Sequence, residues 1–190
     1  MMAEVVQIAT RAKAAHVWER SEDEWYVEPE ICTAALLRCE RFIGHIWDPA
    51  CGGGNILRAA SANGYQFQLV GTDIKQRGDR AFWFRGEQDF LNWAGQPLAQ
   101  NIAMNPPFGR GVLAEAFIRK ALDIAVGKVA VFVDLRFLGG AGRAAGLWND
   151  NPPDRIWMSP RVRPARREPT LKPAIRPAAG PPIMSGWCGT

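Results

Sequence analysis

Four consecutive residues, Asn105-Pro106-Pro107-Phe108, close the apolar run Ile102-Ala103-Met104. Proline cannot donate to a strand ladder and fixes its own φ, so two in a row force the chain out of a sheet in a stiff, extended turn. The residue before a proline is also held near extended geometry. The Asn105 side chain and the carbonyls of Asn105 and Pro106 therefore form a rigid row of hydrogen-bond acceptors, with the flat ring of Phe108 beside it. Such a row suits a planar group that carries an NH2.

A second chemical segment lies upstream. In Trp47-Asp48-Pro49-Ala50-Cys51-Gly52-Gly53-Gly54-Asn55, an acid precedes a glycine-rich turn. Glycines between strand and helix let a ligand approach the backbone, where side chains would collide with it. Asp48 would repel a pyrophosphate but could hold a cationic or amine-bearing ligand. Asp73 follows about 20 residues beyond the turn, where a carboxylate can grip a ribose diol. Asp89-Phe90 comes next, an acid able to accept from an adenine amine beside a ring able to flank it.

The elements needed to position these residues can be read from periodicity. Val5–Arg20 is a candidate helix; Asp23–Pro29 reads as a loop, and Pro29 suits the first turn of the helix that follows. Glu30–Phe42 has helical spacing, with Ile31, Ala34, Ala35, Leu36 and Cys39 near one face. Ile43–Trp47 reads as a buried strand, Asn55–Ala60 as the start of a helix, and Gln68–Asp73 as a strand ending in an acid. Asn101–Met104 is another strand. Gly111–Val126 reads as a helix with Leu113, Ala116, Phe117, Ala121 and Ile124 on one face. Val129–Leu135 is β-branched and apolar, as expected of a central strand covered on both sides. A helix over Ala141–Trp148 and a strand over Arg155–Met158 complete the alternation. It predicts an α/β fold with an open, doubly wound, mostly parallel sheet and binding at the carboxyl ends of its strands.

In this order the residues resemble the class I S-adenosylmethionine-dependent methyltransferases, in particular the small phage- and prophage-type DNA N6-adenine methyltransferases. Asp48-Pro49-Ala50-Cys51-Gly52-Gly53-Gly54 is similar to the family's D-P-x-C-G-x-G, and Asn105-Pro106-Pro107-Phe108 to its catalytic (N/D/S)-P-P-(F/Y/W). The likeness spans about residues 25 to 158. It implies a Rossmann-like methyltransferase sheet, S-adenosyl-L-methionine as cofactor and methyl transfer to the exocyclic amine of adenine in DNA. It further implies that Asn105, Pro106, Pro107 and Phe108 are catalytic. Cofactor contacts are implied at Tyr26, Pro29, Asp48, Pro49, Ala50, Cys51, Gly52, Gly54, Asp73, Ile74, Asp89, Phe90 and Asn105. Within that set Asp48 would lie near the cofactor's amino group, Asp73 on the ribose hydroxyls and Asp89 on the adenine amine. Tyr26-Val27-Glu28-Pro29 stands where the family often reads aromatic-x-Thr-Pro, with Glu28 in place of threonine. An RNA base amine and a protein glutamine amide are alternative acceptors on the same loop, and an idle cofactor-fold binding module is a third reading.

Composition sets the remaining bounds. At 190 residues, 47% hydrophobic and 22% charged, the chain has the size and balance of one globular domain. No apolar run is long enough to span a bilayer, and Met1-Met2-Ala3-Glu4 lacks the regions of a signal peptide, so a cytoplasmic protein is expected. The cysteines at 32, 39, 51 and 188 have no C-x-x-C spacing, and neither His16 nor His45 has a neighbour at ligand or triad spacing; no metal is expected. Residues 159–190 hold six of the 23 basic residues and one of the 19 acids, which leaves 17 basic and 18 acidic residues in 1–158. The net charge of +4 is therefore mostly that of a basic Pro/Arg-rich tail, expected to be irregular. The organisation predicted is an N-terminal extension (1–24), a catalytic domain (25–158) and this tail (159–190). No segment offers room for a separate recognition domain, so reading of DNA is expected from a partner protein or from loop residues such as Arg110 and Arg136. No second apolar strand follows Met158. The C-terminal hairpin of the sheet is accordingly expected to be incomplete, with Met184–Cys188 set aside as short and glycine-broken, through truncation or a change of reading frame.

Overall fold

The computed structural model describes residues 27–77 and 81–159, together with the backbone strands at 172–173 and 184–189. The predicted helix at 5–20 and the site residue Tyr26 lie outside the described residues. The chain alternates α1 (Glu30–Cys39), β1 (Ile46–Asp48), α2 (Asn55–Ala60), β2 (Leu69–Asp73), β3 (Phe84–Glu87), β4 (Asn101–Met104), α3 (Val112–Ile124) and β5 (Val129–Asp134). Three short helices follow, α4 (Leu135–Leu138), α5 (Ala141–Ala145) and α6 (Leu147–Asp150), and then β6 (Arg155–Met158), β7 (Lys172–Pro173) and β8 (Met184–Gly189).

The strands form one sheet in the order β3-β2-β1-β4-β5-β8-β6-β7. The five strands from β3 to β5 are all parallel, and the order reverses between β1 and β4. This is the doubly wound, Rossmann-like α/β arrangement. Burial on both faces is written into alternate residues of the central strands. Trp47, Val70, Ile102, Met104, Val129 and Val131 pack with Ala114, Phe117 and Ile118 of α3. Their neighbours Ile46, Leu69, Ala103 and Ala130 pack with Cys32 and Leu36 of α1 and Ile56 and Leu57 of α2. Each fully buried large side chain of this kind stabilises the fold by roughly 1.5–3 kcal/mol.

Some elements depart from the periodic reading. In α3 the buried side chains are Ala114, Phe117, Ile118 and Ala121. Leu113 is instead exposed on one side, because it faces a cavity rather than the core. In α1 the buried set is Cys32, Thr33, Ala35 and Leu36. The single helix predicted over Ala141–Trp148 is two helices, broken at Gly146 with φ −113° and ψ −97°. Asp134 ends β5 and caps α4 by accepting from the Arg136 backbone N–H at 2.8 Å.

The end of the sheet corrects one expectation. Among the described residues the antiparallel hairpin is reduced, with β6 meeting β7 at Trp157↔Pro173 and Met158↔Lys172. Met184–Gly189, however, is a strand: it runs parallel to β5 on one side and to β6 on the other. Ladder hydrogen bonds from both neighbours satisfy its backbone, so it needs no apolar repeat of its own, and its glycines and serine concealed it. The stretch expected to be irregular thus contributes β7 and β8. Among the described residues no helix is long and apolar enough to cross a membrane.

Candidate functional site

The carboxyl ends of β1, β2 and β4 open on one cavity of about 400 Å³, a size suited to a small-molecule ligand. Its wall includes Pro49, Ala50, Cys51 and Gly52 after β1, Asp73 and Ile74 at the end of β2, and Asn105, Pro106 and Pro107 after β4. Asp89 and Phe90, from the segment after β3, join them in the wall.

The β1 loop is shaped by its glycines and by the strand beside it. The Cys51 backbone N–H donates to the Thr72 carbonyl at 3.0 Å, and the Gly54 N–H to the Cys51 carbonyl at 2.6 Å. Gly54 has φ +85°, and a Cβ there would lie 2.2 Å from the Trp83 ring, so only glycine fits both the turn and its close neighbour. The Gly52 N–H donates to Asp73 Oδ2 at 2.8 Å. Asp73 Oδ1 accepts from the Lys75 N–H at 3.1 Å, with Arg77 Nε 3.8 Å away. Each Asp73 oxygen accepts one such bond and retains capacity for a second donor. Asp89 accepts from the Leu91 N–H at 3.0 Å and from Asn92 Nδ2 at 2.6 Å.

Four predicted residues stand outside the cavity wall. Asp48 lies beneath it, only 1% exposed, and its Oδ1 accepts from the Ala50 N–H at 3.1 Å. Pro29 caps α1, and Gly54 lies behind the loop against Trp83. The Phe108 ring packs edge-on against Phe137, with centroids 5.5 Å apart, rather than facing the cavity.

Among the wall residues that the sequence reading did not place in the site, Glu28 bonds one that it did. Glu28, 8% exposed, lines the cavity and accepts from Asn105 Nδ2 at 2.8 Å. Its place immediately before Pro29 is the one local cue in the sequence. Its backbone carbonyl accepts from Asn55 Nδ2 at 2.6 Å, which ties the segment to the start of α2.

The electrostatics of the site are acidic. Burial drives the Asp48 carboxyl well above its ordinary range, and the neighbouring charges of Glu28 and Asp73 push it the same way. Burial also raises Glu28, against the opposing bond from Asn105. The Cys51 thiol is raised by burial and by Asp48 and Asp73. It stays protonated near neutral pH, which removes it as a nucleophile. Among the described residues no group of histidines, cysteines and acids could hold a metal ion. A cavity with Glu28 and Asp73 in its wall, Asp48 beneath it and glycine backbone beside them would favour a ligand that brings positive charge.

No protein-family model matches the sequence, and no curated protein matches it.

Proposed function

We propose that this chain transfers a methyl group from S-adenosylmethionine to the exocyclic amine of adenine in DNA. One observation carries the reading: the acceptor row of Asn105 and Pro106 and the acidic glycine loop at Cys51–Gly52 line the same cavity. The residues present fit the cofactor's chemistry. Asp48, Glu28 and Asp73 would favour its cationic sulfonium and ammonium groups, Gly52 would let it approach the backbone, and Asp73 has acceptor capacity left for a ribose diol.

When bound, that cofactor supplies an electrophilic methyl group. The chain's own work is at the amine. The lone pair of an aromatic NH2 is delocalised into its ring and is a poor nucleophile. Asn105 Oδ1 and the Pro106 carbonyl would accept the NH2 hydrogens and draw the nitrogen toward a tetrahedral, more nucleophilic shape. Held by Asn105 and Pro106, the amine would accept the methyl group that the cofactor supplies and would lose one proton to water. Such a transfer depends on alignment more than on acid–base groups, in keeping with a wall that contains no histidine among the described residues. In a duplex the target base must first be flipped out of the helix. Of the two arginines considered for DNA contact, Arg136 is engaged by Asp134 at 2.8 and 2.9 Å. Arg110 is exposed beside the loop, with φ +56°.

The test is label transfer from S-adenosylmethionine to DNA, RNA and protein in parallel, with Asn105→Ala as control. The expected result is label in DNA, falling about a hundredfold or more in the variant. Label in RNA or in protein glutamine would replace DNA as the acceptor. Cofactor binding without transfer to any acceptor would make the chain an idle binding module, a reading the inward packing of Phe108 on Phe137 favours.

A further inference from the structure

Asn105 has two chemically opposite ends, an NH2 that donates and a carbonyl that accepts, and only the carbonyl can activate an amine. Nothing in residues 104–108 decides which end faces the cavity. Glu28 does. An ionised carboxylate has no proton to give, so it can be met only by the Nδ2 end of the amide. The 2.8 Å bond from Asn105 Nδ2 to Glu28 Oε2 therefore turns Oδ1 away from Glu28.

Glu28 is itself held. The backbone at Glu28 and at Ile56, in the first turn of α2, favours its ionised form. Asn55 anchors its backbone carbonyl, and Pro29 follows at the cap of α1. The groups that act on it electrostatically are Arg58 of α2, Asp48 at the end of β1, Cys32 of α1 and Cys51 of the glycine loop. The bond from Asn105 joins residues 77 apart in sequence, so the start of α2, through the Glu28 carbonyl, and the β4 loop, through its carboxylate, are tied to one residue.

We propose that Glu28 is a positioning residue that selects the amide orientation of Asn105 and so presents its carbonyl to the substrate amine. This rests on the methyl-transfer reading for its consequence, but the orientation itself can be observed without turnover. Protonation of Glu28 would replace an acceptor by an O–H donor and reverse the selection, so activity should rise with pH as Glu28 ionises.

The first measurement is the side-chain NH2 resonance pair of Asn105 in the protein alone, identified by its loss in Asn105→Asp. It should move with pH as Glu28 titrates. In Glu28→Leu it should shift toward the positions of an unbonded amide and stop titrating. The second is single-turnover methyl transfer. Glu28→Leu should lose about a hundredfold in rate while cofactor affinity changes less than the rate does. Glu28→Gln keeps an acceptor and should recover part of that rate with its acid limb shifted or gone. An Asn105 resonance indifferent both to pH and to Glu28→Leu overturns the proposal, as does a loss confined to cofactor affinity. A wild-type protein that transfers no methyl group defeats the methyl-transfer reading instead, and the resonance still decides the orientation.

Discussion

Asp73 Oδ2 accepts the Gly52 backbone N–H at 2.8 Å, so the acid that ends β2 holds the glycine loop that follows β1. This bond gives Asp73 two tasks: it shapes the loop, and its remaining acceptor capacity faces the cavity. Asp73→Ala would leave a buried N–H unpaired, at about 1–3 kcal/mol, and would also weaken binding of S-adenosylmethionine. Urea unfolding and calorimetric titration separate the two effects. An unchanged urea midpoint would rule out the structural task.

Asp48 should lower stability at neutral pH. Burial and the nearby Glu28 and Asp73 raise its folded pKa above the ordinary 3.8. Between those two values the folded protein binds more protons than the unfolded chain. Its contribution is thus fully present below about 3.8 and is lost as pH rises through the folded value. Asp48→Asn keeps an oxygen for the Ala50 N–H and removes the charge. Its Tm at pH 8 should exceed that of the wild type, by about 2–4 °C for each kcal/mol gained. The difference should shrink at pH 4, and a lower Tm at pH 8 would refute the argument.

Glu40 behaves in the opposite sense. Burial alone would raise it, but bonds from Lys128 at 2.7 Å and Trp157 Nε1 at 3.0 Å, with the charge of Arg155, outweigh burial and hold it below 4.5. Its stabilisation is present above about 4.5 and disappears as pH falls through the lowered value. Glu40→Gln should cost about 2 kcal/mol. That is less than the ~3–5 kcal/mol of a fully buried pair, because Lys128 and Arg155 keep access to water. Chemical denaturation at pH 7 and pH 3.5 should show the larger penalty at the higher pH.

Gly54 and Gly64 offer a matched comparison. Both have positive φ, +85° and +98°, but a Cβ at Gly54 collides with Trp83 whereas one at Gly64 meets open space. Gly64→Ala should cost about 1 kcal/mol, from backbone conformation alone. Gly54→Ala adds roughly 1–3 kcal/mol of overpacking and should displace the cavity wall. Equal unfolding free energies for the two variants would contradict the role given to Trp83.

Most of the sheet was legible because its central strands are short apolar runs with polar or glycine ends. β4 and β6 match their predicted spans, and β2 and β5 differ from theirs only at the ends. β3 escaped notice since Phe84-Arg85-Gly86-Glu87 is a half-buried edge strand with a glycine in it. β8 escaped because two neighbouring strands, not its own side chains, make it a strand. In the candidate site, Asp73 and Asn105 were legible as strand-end polar residues beside glycine or proline turns, and Asp89 as an acid beside a ring. Glu28 was not, since its partner lies 77 positions away.

The primary structure alone establishes a doubly wound α/β chain with an acceptor loop at Asn105–Pro107 and an acidic glycine loop at Asp48–Gly54. Local rules suffice for both, because proline and glycine act on their own backbone and periodicity reports burial on its own element. Tertiary structure decides that the two loops wall one cavity, that Asp48 lies under its floor and that Phe108 turns onto Phe137. It also decides that Glu28 takes the NH2 end of Asn105. Each of these depends on which segments the sheet order brings together, and no short stretch of sequence carries that information.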